Sequence, residues 1–455
     1  MTKFFKFSHY RNLFTSGHPR TLRAKKNILV SFISRIVAIT INFIVVPLTL
    51  SYVGKVEYGI WMTLSSIIAW FSYFDIGLGN GLRNKLAEAL ATNDKETAKI
   101  YISSTYALIS FLALLMFICL YIAAYFISWN KVFNTDTISN EDLQKVVIMV
   151  FFLFCTGFIF KLLSSLLQAL QKYWIKDVIG IIAQLVGLAG IFILVKTTEG
   201  SLFNLCLIYA GKTPIVMLLA SILLFSRNLS YLRPRILYVQ LRRALPLINL
   251  GFRFFLNQIF YLIVSQSSLI LVAQFFGPGE VTIYNLAVKY MTLGSMVYLM
   301  VLTPFLSAFT EAYTRKEYEW IRSTINKINT IWILTSVSTI ILMLLYRIFF
   351  RLWVGESIQV PFPLILGLTA SSIIGTFYNK YSLFLNGIGK IHLQTYLLGL
   401  QAFLFIPLSY LFYKLDLHLL SIVLAQIILH CIAAYLMYNQ YKKIISQTAT
   451  GVWNK

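Results

Sequence analysis

The amino-acid sequence predicts an all-α polytopic membrane protein with twelve transmembrane helices. Of its 455 residues, 58% are hydrophobic and 12% are charged, and the mean hydropathy is +0.75. These values lie far outside the range of soluble domains. In addition, a shift of about 223 residues brings two loops of the first half onto two loops of the second, which indicates a duplicated membrane unit.

Twelve apolar runs have the length that a transmembrane helix needs, about 20 residues at 1.5 Å each for a hydrocarbon core of roughly 30 Å. They are 27–49, 58–76, 101–127, 146–169, 178–195, 202–225, 246–274, 282–306, 329–350, 361–385, 395–413 and 418–438. An even number of spans places both chain termini on the same side of the membrane.

The distribution of basic residues predicts which side that is. Of the 39 lysines and arginines, 26 lie in segments on the side of the termini, 7 lie on the opposite side and 6 lie within spans. Because cytoplasmic loops carry the excess of basic residues, we expect both termini to be cytoplasmic. The net charge of +23 is then a consequence of membrane orientation, and nucleic acid is not an expected partner.

The repeat sets the expected domain organisation. It pairs Gly54 with Gly277 in one loop and Glu88 with Glu311 in another. We expect a basic cytoplasmic segment, an N-lobe of spans one to six, a basic cytoplasmic linker, a C-lobe of spans seven to twelve and a cytoplasmic tail, at 1–26, 27–225, 226–245, 246–438 and 439–455. Parallel six-helix halves place a cavity between them near the bilayer midplane.

Six basic residues lie inside the predicted spans: Arg35, Lys161, Lys212, Arg253, Lys289 and Lys380. At about 3 kcal/mol each, six unpaired cations would cost roughly 20 kcal/mol in lipid, so most of them need water or a ligand. Five share a helical face with Ser, Thr, Asn or Gln side chains, whereas Lys212 has only Tyr209. The alternative for each is a side chain that snorkels to the interface or pairs with a backbone carbonyl.

Acidic residues are scarce by comparison. Asp75, at the end of the second span, is the one acidic residue assigned to a span, so a cavity lined by the six cations would select anions. Asp75 is a candidate gating or coupling group that pairs with Arg35 or Arg83. The alternative is a carboxylate that ends a helix beside the glycine-rich turn at 77–81.

Two motifs, VGKVEYGIW at 53–61 and DIGLGNGLRN at 75–84, resemble a known family. They are similar to the polysaccharide-transporter branch of the multidrug/oligosaccharidyl-lipid/polysaccharide exporter superfamily, and most of all to Wzx-type O-antigen flippases. The resemblance implies two pseudo-symmetric six-helix bundles around a V-shaped central cavity lined mainly by spans one, two, seven and eight. Arg35, Arg253 and Lys289 lie on three of those spans.

The resemblance also implies a substrate, an undecaprenyl-diphosphate-linked oligosaccharide that moves from the cytoplasmic to the outer leaflet of the bacterial inner membrane. A diphosphate is anionic, and arginine and lysine bind phosphate through charge-assisted hydrogen bonds. We therefore expect a flippase that works by alternating access, with no enzymatic activity, cofactor or metal. Membrane potential, protons and sodium ions stay open as energy sources. The expected partners are the lipid-linked glycan, membrane lipid, and a polysaccharide polymerase with its chain-length machinery.

Two other classes fit the sequence less well. A multidrug exporter of the same superfamily would hold cationic drugs with carboxylates inside its spans, where this chain has basic residues. A membrane glycan polymerase or glycosyltransferase needs a large outer loop or paired carboxylates at the water interface. The longest outer loop, 128–145, holds Asp136, Glu141 and Asp142 but has no histidine or glycine-rich partner for them.

Overall fold

The computed structural model describes residues 19–72, 78–240, 259–260, 262–302 and 305–454, and these contain no β-strand. The α-helices are α1 (Pro19–Phe71), α2 (Leu78–Ala91), α3 (Lys95–Phe126), α4 (Trp129–Phe133), α5 (Asn140–Phe160), α6 (Leu162–Ala169), α7 (Tyr173–Thr197), α8 (Leu202–Ser226), α9 (Leu262–Phe276), α10 (Pro278–Leu302), α11 (Phe305–Thr314), α12 (Tyr318–Val354), α13 (Phe362–Gly387), α14 (His392–Lys414) and α15 (Leu420–Ile445). Short 3-10 helices lie at Ser230–Leu232, Ile236–Tyr238 and Gly451–Asn454. The all-α fold class is confirmed.

Within these ranges, ten helical stretches are long and apolar enough to cross a bilayer. The first stretch, Ile33–Phe71, overlaps the first two predicted spans. Each of the other nine stretches overlaps one further predicted span, and α9 is the described part of the seventh. Large apolar side chains such as Phe126, Leu352 and Phe403 are exposed, as expected of lipid-facing positions. The chain is a multi-pass membrane protein; the count of twelve spans and the orientation of the termini stay predictions.

The first helix consists of two segments joined at Gly54. The backbone of Gly54 has φ +77° and ψ −178°, a conformation essentially confined to glycine. The sequence predicted a loop between 49 and 58, whereas the structure has helix on both sides of this single residue. Lys55 and Glu57 therefore belong to a helix and not to a loop.

The predicted repeat recurs in backbone conformation. Gly54 and Gly277 both have positive φ, and so do Asn93 and Lys316, which are also 223 residues apart. Both of the latter residues sit in matching turns: the amide of Asp94 donates to the carbonyl of Ala89 at 2.9 Å, and that of Glu317 donates to the carbonyl of Ala312 at 2.8 Å. The two turns end α2 and α11, short helices that the sequence had left as loops.

The described residues form two compact units. The first draws on residues 19–54, 72, 78–128 and 139–240, and the second on residues 55–71, 129–138, 259–260, 262–302 and 305–454. The first has an apolar core from α2, α3 and α5 to α8, and the second has one from α10 to α15. The lobe boundaries expected from the sequence stay a prediction.

Candidate substrate sites in the two units

The motif at 53–61 contains the glycine joint of α1, and its residues from Lys55 onward belong to the second unit. A Cβ on Gly59 would lie 1.7 Å from the carbonyl oxygen of Pro278, so glycine lets the second segment of α1 reach the backbone at the start of α10. Lys55 bridges Glu280 at 3.3 Å, and its carbonyl accepts a hydrogen bond from the Thr282 hydroxyl at 2.6 Å. The residues that carry the family resemblance thus pack two helices together.

The same joint positions Lys289. Its amino group donates to the hydroxyl of Tyr58 at 2.8 Å and lies 5.6 Å from the centre of that ring. Tyr58 is fully buried, whereas Lys289 is half-buried. Lys289 has no carboxylate within ion-pairing distance in the described part of the chain. Its amino group contacts a neutral oxygen and a ring face instead.

Glu57, which lies in the predicted loop between the first two spans, belongs to α1, and the expectation that Asp75 is the one acidic residue in a span stays a prediction. Glu57 is half-buried, and within the described residues one of its carboxylate oxygens is buried without a hydrogen-bond partner. The sequence predicted a loop at 50–57, which includes Glu57, whereas the helix is interrupted only at Gly54, three residues earlier. Asp75 itself lies outside the described residues.

Lys380 was expected to line a cavity, but it is fully buried between α12 and α13. Its amino group donates to the side-chain oxygen of Asn329 and lies 4.8, 3.8 and 4.9 Å from the ring centres of Trp332, Phe377 and Tyr381. We call this arrangement the aromatic cage. The cage encloses the amino group in this structure, and the role of Lys380 in substrate binding stays a prediction.

A pocket of about 440 Å³, here called the polar pocket, lies in the second unit, and its lining includes Asn285 and Thr292 from the helix that carries Lys289. Among the described residues that line it, none is Lys, Arg, Asp or Glu, and two thirds are polar. The polar lining comes from α9, α10, α13 and α15: Ser265, Ser268, Tyr284, Asn285, Thr292, Ser295, Ser371, Ser372, Thr376, Asn379, Gln426 and His430.

Some polar atoms of the residues that line the pocket have no hydrogen-bond partner in the described part of the chain. Within the described residues, the side-chain oxygens of Ser265 and Asn285 are buried without a hydrogen bond. Gln426 donates to the Ser268 hydroxyl at 2.9 Å, and the Ser371 hydroxyl lies 3.4 Å from Nδ1 of His430. Hydroxyl, amide and imidazole groups of this kind exchange hydrogen bonds with the hydroxyl groups of a sugar.

In the first unit, Lys212 belongs to a chain of polar side chains. It donates to Gln184 of α7 at 3.1 Å and lies 5.0 Å from the ring centre of Tyr209, whose hydroxyl is 2.9 Å from that of Thr49. Lys212 was expected to have only Tyr209 as a polar companion on its helix. The partner that the sequence missed comes from the neighbouring helix.

The remaining cations of the first unit are more accessible. Lys161 is exposed at the break between α5 and α6, where it donates to the backbone carbonyl of Ser72 at 3.4 Å. Arg35 is exposed on α1, beside a buried face that includes Ser34 and Val45.

The remaining basic candidates are Arg253 and Arg83. Arg253 lies outside the described residues. Arg83, expected to pair with Asp75, is half-buried on α2 and donates to the side-chain oxygen of Asn84 at 3.4 Å.

The sequence missed the partners of the cations and most of the pocket. Tyr58, Asn329 and Gln184 each come from a helix other than that of the lysine they contact. His430, which the sequence analysis did not select, lines the pocket with Gln426, one helical turn away. Polar residues at a spacing of four within an apolar span are the signal that could have found these two.

Comparisons with known proteins agree with this architecture. A family profile described as "Polysaccharide biosynthesis protein" matches residues 24–310. A Yersinia pseudotuberculosis protein, provisionally named an O-antigen export protein, is 24% identical over 79% of this chain and 82% of its own.

Two solved structures share the fold. An inward-facing multidrug resistance MATE family transporter of the MOP superfamily has a TM-score of 0.74 at 17% identity, over 90% of this chain and 94% of its own. The lipid II flippase MurJ, in an inward closed conformation, has a TM-score of 0.67 at 16% identity, over 91% and 87%. The resemblance to polysaccharide transporters, first drawn from two motifs, is confirmed by the family profile and the O-antigen relative, and the solved structures show the shared fold.

Proposed function

The chain belongs to the polysaccharide biosynthesis protein family, and from that premise we propose that it is a flippase for a lipid-linked glycan. Its substrate is an undecaprenyl-diphosphate-linked oligosaccharide, the repeat unit of O-antigen or of a similar surface polysaccharide. The substrate crosses from the cytoplasmic to the outer leaflet of the bacterial inner membrane by alternating access through a cationic cavity. The O-antigen export protein and the lipid II flippase among its relatives support this class of substrate.

The observation that carries the proposal is the pair of chemistries on α10. Lys289 presents a half-buried cation held by a neutral phenol. On the same helix, Asn285 and Thr292 line the neutral polar pocket, four residues before and three residues after it. A diphosphate takes charge-assisted hydrogen bonds from a cation, and sugar hydroxyls take neutral donors and acceptors. Helix α10 therefore carries a cation suited to the diphosphate and neutral polar groups suited to the sugar hydroxyls.

Membrane potential supplies part of the driving force in this proposal. Each negative charge that moves outward across an inside-negative potential of 100 mV gains about 2.3 kcal/mol. A diphosphate carries two such charges. Coupling to protons or sodium ions is the alternative source, with Asp75 and Arg83 as candidate groups, and the polymerase with its chain-length machinery is the proposed acceptor of the product.

The test measures surface polysaccharide and lipid-linked glycan in cells that lack the gene and are complemented with variants at matched membrane levels. We expect the empty strain to accumulate the lipid-linked glycan on the cytoplasmic face. Lys289→Ala is expected to lower surface polymer about tenfold or more, because a charge-assisted hydrogen bond is worth about 1.5–3 kcal/mol. Lys289→Arg keeps the charge and retains most activity.

The matched control is Lys196→Ala, which removes an exposed lysine at the end of α7. It is expected to behave as wild type. Full activity of Lys289→Ala would overturn the role of α10, and an empty strain without accumulated lipid-linked glycan would overturn the flippase itself.

A further inference from the structure

A strap of residues 230–240 follows α8 and is fixed to the first unit. The amide of Arg235 donates to the Ser103 hydroxyl at 3.1 Å, and the amide of Gln240 donates to the Ser104 hydroxyl at 2.8 Å. The amino group of Lys99 lies 5.3 Å from the ring centre of Tyr238. Both 3-10 helices of this region lie in the strap, which therefore has a defined conformation on the surface of α3.

The strap lies at the level of the membrane boundary. It begins four residues after Ser226, the last residue of the α8 span. Helix α3 has 32 residues and is therefore about 48 Å long, more than the roughly 30 Å of a hydrocarbon core. The strap binds α3 at Ser103 and Ser104, about 12 Å from the start of that helix.

The strap presents apolar and basic side chains to its surroundings. Ile236 is 93% exposed and Leu237 is 88% exposed, more than any other large apolar side chain in the described residues. Arg233 and Arg235, on either side of Pro234, are exposed as well. Apolar side chains next to arginines are typical of segments that insert into an anionic membrane surface.

An apolar groove of about 350 Å³ opens beside the strap, between α3, α5 and α8. Its apolar lining includes Ile159, Leu218 and Ile222, and Arg233 is the one charged residue among the described residues that line it. The hydroxyl of Tyr106, another lining residue, is buried without a hydrogen-bond partner in the described part of the chain. The groove thus combines apolar walls with one cation and one unused hydroxyl donor.

We propose that the strap and this groove bind an anionic phospholipid of the surrounding bilayer. Arg233 and Arg235 bind the phosphate, Ile236 and Leu237 insert among the acyl chains, and one chain of the lipid occupies the groove with the Tyr106 hydroxyl donating to its ester region. Charge complementarity selects a phospholipid with a net negative head group. The site is independent of the transport proposal, because it uses neither Lys289 nor the polar pocket.

The test counts bound lipid on the purified full chain by native mass spectrometry. The protein in detergent is titrated with phosphatidylglycerol or with phosphatidylcholine that carries the same acyl chains. We expect wild type to prefer phosphatidylglycerol, and Arg233→Gln to weaken phosphatidylglycerol about fivefold while phosphatidylcholine is unchanged, the size expected for one arginine at an anionic surface. Ile222→Ser, at an exposed position of the groove, is expected to weaken both lipids.

The matched control is Arg322→Gln, which removes an exposed arginine from α12, 223 residues after Lys99. It is expected to bind both lipids as wild type does. Equal affinities of wild type and Arg233→Gln for phosphatidylglycerol would overturn the proposal, and so would an equal loss in Arg322→Gln, since that would report only net charge. If Arg233→Gln fails to fold, Arg233→Lys serves instead and is expected to keep the lipid preference.

A protein partner on the strap is the competing explanation. In that case Ile236→Ser with Leu237→Ser would abolish the partner's co-purification, while the lipid counts of this variant and of Arg233→Gln would equal those of wild type. This outcome would replace the lipid with a protein.

Discussion

The two units hold their interior lysines in different ways. In the first unit, Lys161 is exposed and reaches a backbone carbonyl, and Lys212 takes part in a chain of hydrogen bonds. In the second unit, Lys380 is enclosed by three aromatic rings, and Lys289 is held by a tyrosine at a tight glycine joint. Aromatic rings surround or flank both lysines of the second unit, whereas in the first unit Lys161 is exposed and Lys212 hydrogen-bonds an amide.

Lys161 and Lys380 differ in local structure: Lys161 lies at the break between α5 and α6, whereas Lys380 lies inside the continuous helix α13. Gln171 and Gly389 have positive φ in matching turns of the two halves. Lys161 lies ten residues before the first turn, and Lys380 lies nine before the second. The matching turns are thus retained in both halves, while Lys161 is exposed and Lys380 is buried in the helix packing.

The largest expected effect is that of Gly59→Ala, where the second segment of α1 meets the start of α10 in the second unit. Its Cβ would lie 1.7 Å from a backbone oxygen, which cannot rotate away. We expect a loss above about 3 kcal/mol in stability and little folded protein in the membrane. The measurement is the membrane level and the monodispersity of the detergent extract. Gly180→Ala, in the first unit with no atom within 4 Å, is the control and should match wild type.

An intermediate effect is expected from the caged lysine. Lys380→Ala removes a fully buried side chain and should lower stability by about 2–5 kcal/mol, as in other large-to-small core substitutions. Lys161→Ala should stay within about 0.5 kcal/mol, because its side chain is exposed. The thermal unfolding midpoints in detergent give both values. Equal midpoints for the two variants would contradict the distinction between the units, and Lys380→Met should recover most of the loss because it restores the volume.

The smallest effect is expected from Gly187→Ala in the first unit. Its Cβ would meet Cδ of Lys212 at 2.6 Å, but this atom belongs to a flexible side chain that can move. The helix propensity of alanine offsets part of the strain, so we expect a loss of about 1 kcal/mol or less. In the thermal unfolding assay, adding Lys212→Ala should abolish the penalty of Gly187→Ala. A loss as large as that of Gly59→Ala would show that the first unit is packed as tightly as the second.

Much of the fold could be predicted because helix length and apolar composition are local properties. The spans on α7, α8 and α13 match their apolar runs to within a few residues. The amphipathic helices α2 and α11 were missed because they are short and do not cross the membrane. The sequence predicted a loop at 50–57, whereas the structure has a single non-helical residue there, Gly54. Apolar patterning does not show that one glycine is enough to break the helix.

By itself, the sequence determined the membrane class, the duplication and the presence of cations within apolar spans, because each follows from composition or spacing along the chain. Only the tertiary structure decided what each cation contacts: a phenol for Lys289, an aromatic cage for Lys380 and an amide for Lys212. The physical reason is that helical projection fixes where a side chain points on its own helix, whereas its partner comes from another helix whose distance and rotation are set by packing.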